Sequence, residues 1–188
     1  MFRLGEARAG RQKMVSDPIA YILWDHQQQL GICRKIESLI DDLFHPGYRR
    51  TGSAVLDYLT RDMVDHFADE HDLFDMLIGH FADDDGFRSI FALLREEHAK
   101  DERLIAPVVR DLTALVEGNE LATPLNFLMN ALALIETHRR HIAWENATVV
   151  PFATTYLTKE DIERLAHRMT ARREGRAPVP NVAQPALD

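Results

Sequence analysis

Apolar residues recur three and four positions apart along most of this chain, and no strict alternation is sustained, so the pattern predicts helices and no convincing strand. Helix punctuation sharpens this. Asp17-Pro18 sets a side-chain acceptor before a proline whose missing N–H costs nothing at the first helical position, and Thr123-Pro124 repeats the device. The first helix is expected from 18 to about 44, stopped by His45-Pro46-Gly47. A second starts near Thr51 to Ser53 and runs to about Gly79. After the turn Ala82-Asp83-Asp84-Asp85-Gly86, a third continues to about Glu117, before Gly118-Asn119, with a kink expected at Pro107. The fourth spans roughly 124–150, where Pro151 ends or kinks it, and a shorter fifth covers about 159–173 with Thr158 as its cap. Long helices joined by short loops predict an all-α fold, an up-down-up-down antiparallel four-helix bundle with a short C-terminal fifth helix. The expected organisation is an N-terminal extension over 1–16, a bundle over 17–157, a C-terminal helix over 158–174 and a mobile tail over 175–188.

The core-facing stripe of each helix carries polar residues among the apolar ones. Helix two gives Leu59, Met63, His66, Glu70, Leu73 and Leu77, and helix four gives Phe127, Ala131, Leu134, His138, His141 and Glu145. Helix three gives Phe91, Leu94, His98, Glu102 (or Asp101), Ile105, Val109 and Leu112, and helix one gives Ile19, Leu23, His26, Leu30, Cys33 and Ile40. His66/Glu70 and His141/Glu145 both read His-x-x-x-Glu, which puts an imidazole and a carboxylate on one helix face, one turn apart.

Depth gives a second, independent reading. His26 lies eight residues beyond Pro18, Glu70 nine before Gly79, His98 twelve after Gly86, and His141 nine before Val150. At the rise of an α-helix, all four sit roughly 12–18 Å from one end of an antiparallel bundle. A buried unpaired carboxylate is costly, and a cation in this layer would supply its partner. The candidate ligands are His26, His66, Glu70, His98, His141 and Glu145, with Glu102 either a further ligand or an acceptor that orients an imidazole. This nitrogen and oxygen set is too large for a tetrahedral zinc site and suits two cations, with Glu70 and Glu145 bridging. Iron is the expected metal, manganese comes second, and zinc ranks lower.

The remaining histidines and Cys33 read more plainly. His138 is expected in the core or orienting a ligand, His71 at the surface, and His45, His80 and His167 in structural places. The single cysteine, Cys33, excludes a disulfide framework and thiolate metal sites, and reads as a buried thiol. A formal charge of -8 disfavours a nucleic-acid partner. The acidic series Asp62, Asp65, Asp69, Asp72 and Asp75 reads as a solvated helix face. No apolar run reaches the roughly 20 residues a membrane span needs. No secretory signal is visible, translation starting at Met14 is an alternative to Met1, and a cytoplasmic location is expected.

The segments Asp17-Pro-Ile-Ala-Tyr-Ile-Leu-Trp-Asp-His26, His66-Phe-Ala-Asp-Glu70-His-Asp-Leu-Phe74, Glu97-His98 and His141-Ile-Ala-Trp-Glu145-Asn-Ala-Thr-Val-Val-Pro151 resemble the hemerythrin-like, HHE cation-binding domains over about residues 17–157. The resemblance implies a non-haem di-iron centre bridged by the two glutamates and an oxo or hydroxo group. Two departures from oxygen-carrying hemerythrins stand out. Glu102 occupies the place of their second helix-three histidine, and Glu145 stands four residues after His141 where they carry an aspartate at five. The four-His, two-Glu pattern is similar to that of di-iron proteins that repair damaged iron centres and of iron-sensing hemerythrin-like domains.

The expected function is therefore a di-iron protein that binds or senses a small ligand, dioxygen or nitric oxide, or iron itself. A di-iron redox enzyme or iron-centre repair protein is one alternative, and a metal-free helical interaction module is another. The sequence leaves the oligomeric state open.

Overall fold

A computed structural model describes residues 16–43 and 47–174. Residues 1–15, His45 and the 175–188 tail lie outside the described residues, so the readings made for them stay expectations. The described residues are helical with no strand: α1 (Pro18–Asp41), α2 (Tyr48–Asp57), a π-helical turn (Tyr58–Asp62), α3 (Met63–His80), α4 (Asp85–Glu117), α5 (Pro124–Ala147), α6 (Val149–Tyr156) and α7 (Lys159–Glu174).

Several ends follow the sequence signals. Asp17 Oδ1 accepts from the Ala20 amide at 3.0 Å, and Asp84 Oδ1 accepts from that of Phe87 at 2.9 Å. Thr158 and Asp161 cap each other: the Asp161 amide donates to Thr158 Oγ1, and the Thr158 amide donates to Asp161 Oδ2. Gly118 ends α4 with φ 88°, a left-handed conformation that a Cβ would strain.

Other ends differ from expectation. The second helix begins at Tyr48, behind Gly47, and is interrupted by the π turn. Thr123 precedes α5 but its side chain makes no capping bond. The fourth helix ends at Ala147 and not near 150. Pro151 has no N–H for the Ala147 carbonyl, so the chain breaks at Thr148 and restarts with Pro151 in the first turn of α6. α4 runs through Pro107 as one helix from Asp85 to Glu117.

The helices form a bundle in which α1 packs on α5, α5 on α4, α4 on α2, and α2 on α1. A Cβ at Gly52 would approach Val116 Cγ2 to 2.9 Å, so glycine lets α2 and α4 come close. The core is divided. One apolar cluster gathers Ile32, Ile36 and Leu39 of α1 with Leu59, Met63 and Phe67, Val108 and Leu112 of α4, and Phe127 and Leu134 of α5. The other gathers Tyr21 and Ile22 of α1, Leu73, Phe74 and Leu77 of α3, Phe87, Phe91 and Leu94 of α4, Val149 and Ala153 of α6, and Leu165 and Met169 of α7. Between them lies a buried polar layer.

α7 closes over α3 and the start of α1. Leu165 and Met169 are fully buried, while Arg172 and Arg173 pair with Asp69, and Arg168 and Arg172 pair with Asp72. Arg173 also donates to the Tyr21 hydroxyl at 3.1 Å and sits over its ring. The acidic series is a solvated face only in part: Asp75 is exposed, but Asp65 and Asp69 are buried, and Asp69 and Asp72 seat α7.

Candidate metal centre

His26 comes from α1, His66 and Glu70 from α3, His98 from α4, and His141 and Glu145 from α5; none is more than 2% exposed. They meet in the polar layer as two groups, His26/His66/Glu70/Glu145 and Glu70/His98/His141/Glu145. Within each group the ligand atoms lie within 4.8 Å of one another. The glutamates belong to both groups.

Each carboxylate divides its oxygens between the two histidine pairs. Glu70 Oε1 is 3.0 Å from His26 Nε2 and 3.1 Å from His66 Nε2, while Oε2 is 3.2 Å from His98 Nε2. Glu145 Oε2 is 3.4 Å from His26 Nε2, while Oε1 is 3.1 Å from His141 Nε2 and 3.5 Å from His98 Nε2. All four Nε2 atoms therefore face the carboxylates.

The Nδ1 atoms face outward. That of His26 lies 2.7 Å from Asn146 Oδ1, that of His66 3.0 Å from Asp25 Oδ2, and that of His98 3.0 Å from His71 Nε2. His141 Nδ1 has only Glu97 Oε2, at 3.9 Å, and makes no hydrogen bond. An outward Nδ1–H leaves the Nε2 lone pair free to ligate. His98 is also held flat, its ring stacked between Phe67, at 4.5 Å, and Phe74, at 5.7 Å.

The protein alone does not satisfy this cluster. Glu70 Oε2 and both Glu145 oxygens accept no hydrogen bond, although all are buried. His98 Nε2 and His141 Nε2 face each other at 2.9 Å, so two lone pairs collide unless a proton or a cation lies there. Burial opposes charge throughout, yet the glutamates raise His26 and His98 to about 9. Burial and the charge of Glu70 push Glu145 up, but His141, His26 and His98 outweigh them and hold it at about 2. Cations would replace those protons, satisfy the idle oxygens and offset the Glu70–Glu145 repulsion. The donor set and the orphaned atoms fit metal.

Sequence reasoning singled out these six residues, which the fold brings together, and missed most of what surrounds them. Asp25 is buried, with Tyr58 Oη donating to Oδ1 at 2.9 Å and Gln29 Nε2 to Oδ2 at 3.3 Å. Gln29, Asp25 and Ile22 lie on the true inner stripe of α1, whereas Leu23 is 38% exposed. Glu102 is exposed and belongs to neither group, because the inner line of α4 steps from His98 to Asp101. Asp101 Oδ2 lies 3.2 Å from Nδ1 of buried His138, whose ring stacks parallel to His141, in keeping with the orienting or core place expected for it. His71 is half-buried against His98 and not at the open surface. His80 ties α3 to α7 through Asp161 Oδ2 at 2.7 Å, and His167 is exposed. Cys33 is buried, which raises its thiol to about 11.

A family model described as Hemerythrin HHE cation binding domain matches residues 17–153. No curated protein and no solved structure matches the chain. No helix among the described residues is long and apolar enough to cross a membrane.

Proposed function

This chain belongs to the hemerythrin family of HHE cation-binding domains, and on that premise we propose that it holds two iron ions and binds or senses a small diatomic ligand, dioxygen or nitric oxide. The observation that carries this reading is the division of the carboxylate oxygens. Glu70 and Glu145 each turn one oxygen toward His26 and its neighbours and the other toward His98 and His141. Carboxylates placed in this way would each be able to hold one cation with either oxygen. Mixed imidazole and carboxylate donors favour iron, with manganese next.

Iron held here would supply an exchangeable coordination position and a change of oxidation state. The chain's own residues do the rest. Asp25, Asn146 and His71 fix the imidazole tautomers. Phe67 and Phe74 keep water away from His98. The up-down-up-down order belongs to the same reading. It is supported by one apolar cluster collecting the start of α1, the end of α3, the start of α4 and the segment following α5.

Elemental analysis of the purified protein tests the metal, with two iron equivalents per chain as the expected result. Absorption spectra of iron-loaded protein with and without dioxygen or nitric oxide test the ligand. A protein that binds iron but shows no ligand-dependent charge-transfer band is neither a carrier nor a sensor of these gases.

A further inference from the structure

Four imidazoles share one layer, but their outward partners are unequal. On the His26/His66 side, His66 Nδ1 faces a carboxylate oxygen of Asp25 at 3.0 Å, and His26 Nδ1 faces Asn146 Oδ1 at 2.7 Å. Asp25 is 3% exposed and is itself fixed by Tyr58 and Gln29. Tyr58 can reach it because the π turn beginning at that residue widens the helix, placing the phenol inside one turn before Met63. On the His98/His141 side, His98 Nδ1 has a half-buried imidazole, His71, as its acceptor. His141 Nδ1 has no acceptor, and its nearest carboxylate, Glu97, stands 3.9 Å away with its side chain 25% exposed.

A carboxylate behind a ligating histidine raises the basicity of the ligating nitrogen and fixes the ring, and losing such a partner weakens metal binding about 10–100-fold. A neutral imidazole behind His98 donates less electron density, and His141, although its ring packs against His138 and His98, has no hydrogen bond at Nδ1 to raise its basicity. Both outward contacts of this second pair, His71 and Glu97, lead toward the surface, whereas on the first pair Asn146 does so and Asp25 is buried.

We propose that the two cation positions are unequal: the one held by His26 and His66 is the tightly retained, structural position, and the one held by His98 and His141 is exchangeable. The inference rests on the two-cation reading above. Asp25 and Tyr58 then act as positioning residues for the retained ion. His71 and Glu97 flank the path by which the second ion leaves.

The test is iron release from the full-length protein, loaded without oxygen with two equivalents of iron(II), into a chromogenic iron(II) chelator under the same anaerobic conditions. The expected time course has two phases of one equivalent each. In Asp25→Asn the slow phase should accelerate about 10–100-fold. In His71→Ala only the fast phase should change. Circular dichroism reports whether each variant folds, and the wild-type course and His71→Ala keep the inference open to refutation should Asp25→Asn misfold. Two equivalents leaving wild type in a single phase overturn the inference, as does acceleration of the slow phase by His71→Ala. Uptake of a single equivalent overturns the two-cation reading itself, a result distinguishable from the other two by stoichiometry alone.

Discussion

Glu145 shows how much one side chain carries in this layer. It is 1% exposed, neither oxygen accepts a hydrogen bond, and both face histidine nitrogens. Glu145→Gln keeps the shape and removes the charge and one anionic oxygen. Iron uptake should fall from two equivalents to one or fewer, as elemental analysis will read. The same residues set the acid–base behaviour of metal-free protein. His26 and His98 rise from 6.5 to about 9, so their stabilisation is complete below 6.5 and is lost as pH climbs toward 9. Glu145 falls from 4.5 to about 2, so its contribution is complete above 4.5 and is lost as pH drops toward 2. The cluster therefore stabilises metal-free protein most between pH 4.5 and 6.5. Thermal melts of chelated protein should decline from pH 6.5 to 9, and a flat profile over that span would refute this account. Cys33, raised to about 11 by burial, should resist alkylation in native protein and react only after unfolding.

Among the elements, α7 makes the most directional contact. Arg173 pairs with buried Asp69 and with Tyr21, and Asp69 adjoins Glu70 in sequence. Arg173→Ala removes charge-assisted bonds to a buried carboxylate, and Arg172 compensates only in part. A loss of about 2–3 kcal/mol is expected, read from the urea midpoint, with two iron equivalents still bound. This contact also marks where sequence reading stops. Helix existence and the convergence of the six residues were legible because His66, Glu70, His141 and Glu145 sit on regular helical stripes, and their depths agree with those of His26 and His98. The acidic series on α3 carries no such signal, since nothing in Asp69 or Asp72 points to arginines about a hundred residues later. Phase drifted in α1 and α4, where the stripe can step three or four residues. The choice at 101 or 102 depends on packing against α5, where Asp101 meets His138. The π turn was invisible because the buried positions Val55, Leu59 and Met63 keep the four-residue spacing of an ordinary helix across it. Asp25, Asn146, Glu97 and His71 take their places through contacts across helices, which spacing along one helix does not encode.

For the whole molecule, the notable fact is that cations would sit between two apolar cores and not at the edge of one. Iron binding should therefore raise global stability. Free metal at a hundredfold over Kd adds about 2.7 kcal/mol per ion, and calorimetric melts should move upward with iron concentration accordingly. The division of the core also bears on amide hydrogen exchange. Ile22 and Ile36 share α1 but belong to opposite clusters, as do Phe67 and Phe74 on α3, and Leu94 and Leu112 on α4. With metal removed, only the histidine protons offset the Glu70–Glu145 repulsion at the seam between the clusters, and that offset fades as pH rises from 6.5 toward 9. Opening should then propagate across the helices rather than along them, and amides at the two ends of a single helix should exchange with different opening free energies. With both ions in place those ends should share one. The cooperative units of this protein would then be slices through the bundle, and their number would be set by whether iron is present.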